Sequence, residues 1–174
     1  MRRITYFLVV LLLLPFSLLA QEWKSFSDTS IAFTAKYPDT WVNKIKEGKR
    51  VFFTSPAENE VDSFYENVNI SMSRNETYGK EILIKDAIPS VLEELANSID
   101  DFTKETQRYF KWNGYDACEL IYTGQVKGSS LQVKITQWFC FSKGRLFVAT
   151  YTSLASNTIY VAPAQKILQS IRFR

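Results

Sequence analysis

From Phe102 onward the chain reads strand, turn, strand three times over, and no other feature constrains its fold as much. Tyr109 and Phe110 lead into Trp112-Asn113-Gly114-Tyr115. Asn-Gly in a two-residue connection is the strongest short hairpin signal, because both residues tolerate positive φ. Ala117 to Thr123 then runs to Lys127-Gly128-Ser129-Ser130, Leu131 to Phe141 runs to Ser142-Lys143-Gly144-Arg145, and Leu146 to Thr152 closes the series. Connections this short join antiparallel neighbours, so the pattern predicts four consecutive antiparallel strands.

Upstream, Ile31 to Tyr37 alternates, Val51-Phe52-Phe53 is a short apolar run, and Asn67 to Ser73 alternates through Val68, Ile70 and Met72. Two segments change to helical spacing. Ile88, Val91, Leu92, Leu95 and Ile99 fall on one helical face, with Asp86 expected as cap and Pro89 in the first turn. Tyr160, Ala164, Ile167, Leu168 and Ile171 make the second stripe, whose main helix is expected to start at Pro163. Both stripes read as packing faces rather than ligand boxes.

The first twenty residues combine a basic start at Arg2 and Arg3, an apolar run from Ile4 to Leu14, and a small residue, Ala20, before Gln21. That is the anatomy of a secretory signal peptide over 1–20 and predicts export to the periplasm or an equivalent compartment, with the mature chain free of the membrane. Residues 21–174 suit a single domain able to bury a real core. Net charge is +3, and two of the cations sit in the leader, so the mature chain is nearly neutral and offers no electrostatic case for nucleic acid. Histidine is absent, which removes the commonest general base, metal ligand and nucleophile partner. G-x-S-x-G, S-x-x-K, C-x-x-C and Gly-rich phosphate loops are absent too, so no enzymatic activity is expected.

"IAFTAKYPDTWV", "VFFTSP", "DSFYENVNISM", the first amphipathic helix, "NGYDACELIYT", "FSKGRLFVATYTS" and a Pro-bearing final helix ending "ILQSIRF" together resemble the PsbP-like family. The most specific parts are Tyr37-Pro38-x-x-Trp41, Ser55-Pro56, and Asp62-x-Phe64-x-x-Asn67-Val68-Asn69-Ile70. The resemblance implies an α+β fold, an α/β/α sandwich whose central antiparallel sheet is flanked by helices. Its members include the extrinsic subunit of photosystem II and bacterial envelope proteins, and it implies docking to another macromolecule without catalysis. One scaffold serves unrelated partners there, so fold alone does not name a role.

The candidate residues each have a structural counterpart reading. Tyr37, Pro38 and Trp41 read as a fold signature, since proline must end or edge a strand and the indole can fold back over the sheet end. Asp62, Phe64 and Asn67 are a candidate partner contact, against the alternative that Asp62 and Asn67 hold their loop by side-chain to backbone bonds. Lys44, Lys46, Lys49 and Arg50 are expected at a hairpin tip, as a solvated turn or as a docking patch for an acidic partner or anionic lipid. Glu58, Glu60, Asp62 and Glu66 offer hard oxygen ligands, but without the glycine and spacing of a calcium loop, so no metal or cofactor is assigned. Cys118 and Cys140 fall on neighbouring strands. Aligning the apolar faces puts their sulfurs on opposite sides of the sheet, leaving a disulfide or two buried thiols open.

The expected function is that of an exported, non-enzymatic accessory protein, monomeric, that binds or stabilises an envelope or membrane-associated complex. The alternative is a small-ligand or cation binder using the acidic 55–67 loop.

Overall fold

The computed structural model describes residues 21–46 and 50–174. The leader, and the tip that includes Gly48 and Lys49, lie outside the described residues.

The hairpin signals build a continuous meander. Strands β6 (Asp100–Trp112), β7 (Tyr115–Gln125), β8 (Gln132–Phe141) and β9 (Arg145–Leu154) pair antiparallel in chain order. Asn113 and Gly114 both adopt positive φ, at 53° and 84°, which is the turn their side chains favour. The Asn113 amide also donates to the Ile171 carbonyl at 3.1 Å, tying the hairpin tip to the C-terminal helix. Before the meander come β1 (Trp23–Asp28), β2 (Phe33–Pro38), β3 (Val42–Lys46), β4 (Arg50–Thr54) and β5 (Asn67–Arg74). Helices α1 (Ile84–Ser98) and α2 (Val161–Ser170) and the short β10 (Arg172–Phe173) complete the order.

Seven strands form one antiparallel sheet, β3-β4-β5-β9-β8-β7-β6, and three form a smaller one, β1-β2-β10. The large sheet is the middle layer. On one face α1 lays Ile84, Ile88, Val91, Leu92, Leu95 and Ile99 against Cys118, Leu120, Tyr122, Phe139 and Phe141. On the other, α2 and the small sheet pack Phe33, Ala35, Ala164, Ile167 and Leu168 against Val51, Phe53, Val68, Ile70, Phe147 and Ala149. The expected α/β/α layering holds, with the small sheet added to one outer layer.

Three local expectations are corrected. Asp86 does not cap α1. Leu83 stands at the cap without a side-chain bond, and Asp86 lies inside the first turn, where its charge faces the positive helix end. Pro89 sits beyond the first turn of α1 because the helix begins at Ile84, so the Lys85 carbonyl loses its ladder donor. Helix α2 starts at Val161, two residues before Pro163. It ends at Ser170, and Arg172 and Phe173 pair with Thr34 and Phe33 of β2. Strands β1, β3 and β10 carry no run of alternating apolar residues long enough to read as strands. They are outer pieces completed by pairing.

Candidate functional site

The Tyr37-Pro38-x-x-Trp41 corner is where the chain leaves the small sheet for the large one. Pro38 is the last residue of β2, and its carbonyl accepts from Trp41 N at 3.0 Å, closing a tight turn. Trp41 is 2 % exposed and meets the Tyr160 ring edge-on at 5.7 Å. Tyr37 packs on Phe53 at 4.9 Å, and its hydroxyl accepts from the Asn43 amide at 2.8 Å. Both rings are interior, so neither presents a binding face.

Asp62 serves its own loop. One oxygen accepts from Glu58 N at 2.9 Å and the other from Phe64 N at 3.0 Å. Asn67 donates weakly to the Tyr65 carbonyl at 3.5 Å, and Phe64 is half-buried. Of the four acids, Glu60 points to solvent, whereas Glu66 is fully buried. The loop is fastened from the β9–α2 connection. The Asn157 amide donates to Glu66 Oε1 at 2.8 Å and also to Glu58 Oε1, and Tyr160 Oη donates to the Pro56 carbonyl at 3.1 Å. Burial raises the Tyr160 phenol above its usual range, and the charges of Glu58, Glu66 and Asp62 add to that shift.

The basic residues lie at the far end of the same strands. The β4–β5 ladder pairs Thr54 with Asn67 at its acidic end and Arg50 with Ser71 at its basic end, so the structure separates the two candidate sets. Lys44 and Lys46 stand opposite Phe52 and Arg50, and the Lys46 ammonium lies 5.1 Å from the Phe52 ring centre. Because paired residues share a face, these cations occupy the side of the large sheet that carries α1. Helix α1 packs over β6, β7 and β8. The β3–β5 half of that face therefore stays open, floored by Phe52, Leu146 and Val148 in a groove of ≈ 460 Å³ bordered by Lys46 and Arg50.

That groove adjoins a second at the end of β5 and the start of β9, of ≈ 670 Å³, lined by Arg74, Glu76, Lys80, Lys143 and Arg145 among others. Across the two, six cations face one carboxylate, Glu76. None of the six joins a salt bridge among the described residues, and Arg145 alone of them donates a short bond, to the Arg174 oxygen at 2.7 Å. Sequence reading found Lys46 and Arg50 only. Arg74, Lys80, Lys143 and Arg145 are scattered over three segments, and only the β5–β9 pairing, which sets Arg74 opposite Arg145, gathers them.

Cys118 and Cys140 are buried free thiols. The register pairs Cys118 with Phe139 and Cys140 with Ala117, one residue out of step, so the sulfurs lie on opposite faces and no bond can join them. Burial pushes Cys118 up to about 11 and Cys140 up to about 12. They are structural groups rather than nucleophiles.

No family model and no curated protein matches the chain. Solved structures do. Cyanobacterial PsbP from Synechocystis sp. PCC 6803 superposes with a TM-score of 0.61 at 13% identity, covering 88% of this chain and 94% of its own. The fold is PsbP-like. LpqN of Mycobacterium tuberculosis, described as involved in cell envelope biogenesis, gives 0.60 at 12% identity over 86% of this chain and 88% of its own. A Bacteroides thetaiotaomicron protein gives 0.57 at 20% identity over 87% of this chain, which spans about half of that protein, 48%. Identities this low establish architecture and leave the role to the site itself. Among the described residues no helix is long and apolar enough to cross a membrane.

Proposed function

We propose that this PsbP-like protein is an exported accessory module that docks onto an acidic face of an envelope or membrane-associated protein complex, by binding rather than by chemical conversion. One observation carries the reading: six cations that join no salt bridge among the described residues line two adjoining grooves against a single carboxylate, in a chain whose whole net charge is only +3. Uncompensated like charges beside an apolar floor repel one another until an anionic partner covers them, and such a field also steers that partner in. The leader-like first twenty residues support export, and the envelope description of LpqN is compatible with it. The lack of histidine and of nucleophile motifs supports a non-catalytic role.

The test is capture from the native envelope fraction by immobilised protein, with a K80E/K143E variant in parallel. The reading expects one stoichiometric partner that elutes with moderate salt and is lost in the variant. Recovery of the bare protein, or equal capture by both forms, rejects it.

A further inference from the structure

Strands β7, β8 and β9 carry three cross-strand rungs on the face that meets α2. Glu119 stands beside Trp138 and Ala149, Ile121 beside Thr136 and Tyr151, and Lys134 beside Ser153. Helix α2 packs over β2 and β5, so it roofs only part of this ladder. Its Val161, Gln165 and Leu168, which share one helical face, and the rungs enclose a cavity of ≈ 330 Å³ between them. That volume falls at the low end of small-ligand sites. No residue of the acidic loop lines it, and the basic groove floored by Phe52 lies on the opposite face of the sheet.

The lining places polar groups at unusual depth. Glu119 is 6% exposed, and Trp138 Nε1 donates to its Oε1 at 2.7 Å while the Arg108 guanidinium donates to its Oε2 at 3.1 Å. Lys134 is paired as well, with Glu105 at 2.6 Å. Both charged side chains of the lining are thus neutralised before anything binds. A charged ligand would shed its water here without gaining a counter-charge. Tyr151 is 5% exposed, and its Oη makes no hydrogen bond of ordinary length. Burial lifts its phenol to about 12, partly offset by the Ser153 side chain next on that face. A buried hydroxyl left unpaired forfeits its hydrogen bond, and an occupant bearing a hydroxyl restores it. Trp138, Ile121 and Leu168 make the remaining wall apolar and in part aromatic, which suits a ring.

We propose that this cavity binds a small neutral aromatic alcohol, whose ring fills the apolar space beside Trp138 and Leu168 and whose hydroxyl meets Tyr151 Oη. Binding here uses none of the six groove cations, so K80E/K143E leaves it unchanged and its failure is separable from a failure of docking.

Tryptophol, indole-acetate and tryptamine carry the same ring and are neutral, anionic and cationic at neutral pH. Each is titrated into the full chain by isothermal calorimetry. Tryptophol is expected to bind with a Kd on the order of 10⁻⁴ M, and the two ions at least about tenfold more weakly. Tyr151→Phe removes the hydroxyl and keeps the ring, so it is expected to weaken tryptophol about tenfold while holding Tm. Gln165→Trp, at an exposed position on α2, plugs the space without touching the core and is expected to abolish binding. It keeps the test decisive if Tyr151→Phe fails to fold. No tryptophol binding, an ion that binds as tightly as tryptophol, or tryptophol affinity that either folded variant retains in full overturns the proposal.

Discussion

At the scale of single residues, burial decides chemistry. The two thiols ionise in an unfolded chain near the ordinary value of 9.0 but are held to about 11 and about 12 in the fold. A raised acid favours the protonated native state. Its contribution is therefore full below pH 9 and is lost as pH climbs through that window, because the unfolded state then releases protons the native state keeps. A C118A/C140A variant is expected to lose less stability than the parent between pH 9 and 11, measured by urea denaturation at each pH. Neither native thiol is expected to react with Ellman's reagent at pH 8 until denaturant is added. Trp41 shows the same principle for packing. Trp41→Ala empties an interior space against Tyr160 and is expected to cost about 3–5 kcal/mol, read from the same denaturation curves.

At the scale of elements, close approach matters more than propensity. Gly124 lies in β7 where a Cβ would sit 2.3 Å from Ile99 Cγ2 and 3.0 Å from the Asp100 carbonyl. The junction between α1 and β6 can cross the sheet there only because that side chain is absent. Gly124→Ala is expected to destabilise by about 1–3 kcal/mol, whereas Ala at a solvent-exposed α1 position such as Glu94 changes little. The hairpin turns were legible because Asn-Gly and Lys-Gly have few other uses, and the apolar stripes of both helices named their buried faces correctly. The helix starts were not legible. Leu83 and Tyr160 occupy the cap positions without side-chain capping bonds, so no capping signal exists in the letters, and tertiary packing of the first turn sets the boundary.

At the scale of the molecule, charge is segregated along the β4–β5 ladder, with the clamped acidic loop at one end and the basic grooves at the other. Surface charges of one sign repel, so K80E/K143E, at two exposed positions, is expected to keep or slightly raise Tm while abolishing capture. A fall of more than a few degrees instead makes the basic cluster structural. The acidic loop was recognised as unusual from its composition. Its division of labour was not, because Asp62 bonds within the loop while Glu66 is turned inward by strand pairing and met by Asn157, 91 residues later.

Local letters determined the period-2 strands, the glycine turns and the two amphipathic faces, since each depends on neighbours close in the chain, whereas the β7–β8 register settled the cysteines. Tertiary structure alone decided which half of the sheet α1 leaves open, which cations share a groove, and which carboxylate loses its water. Those depend on strand order and on side chains brought together from distant segments, which periodicity does not encode.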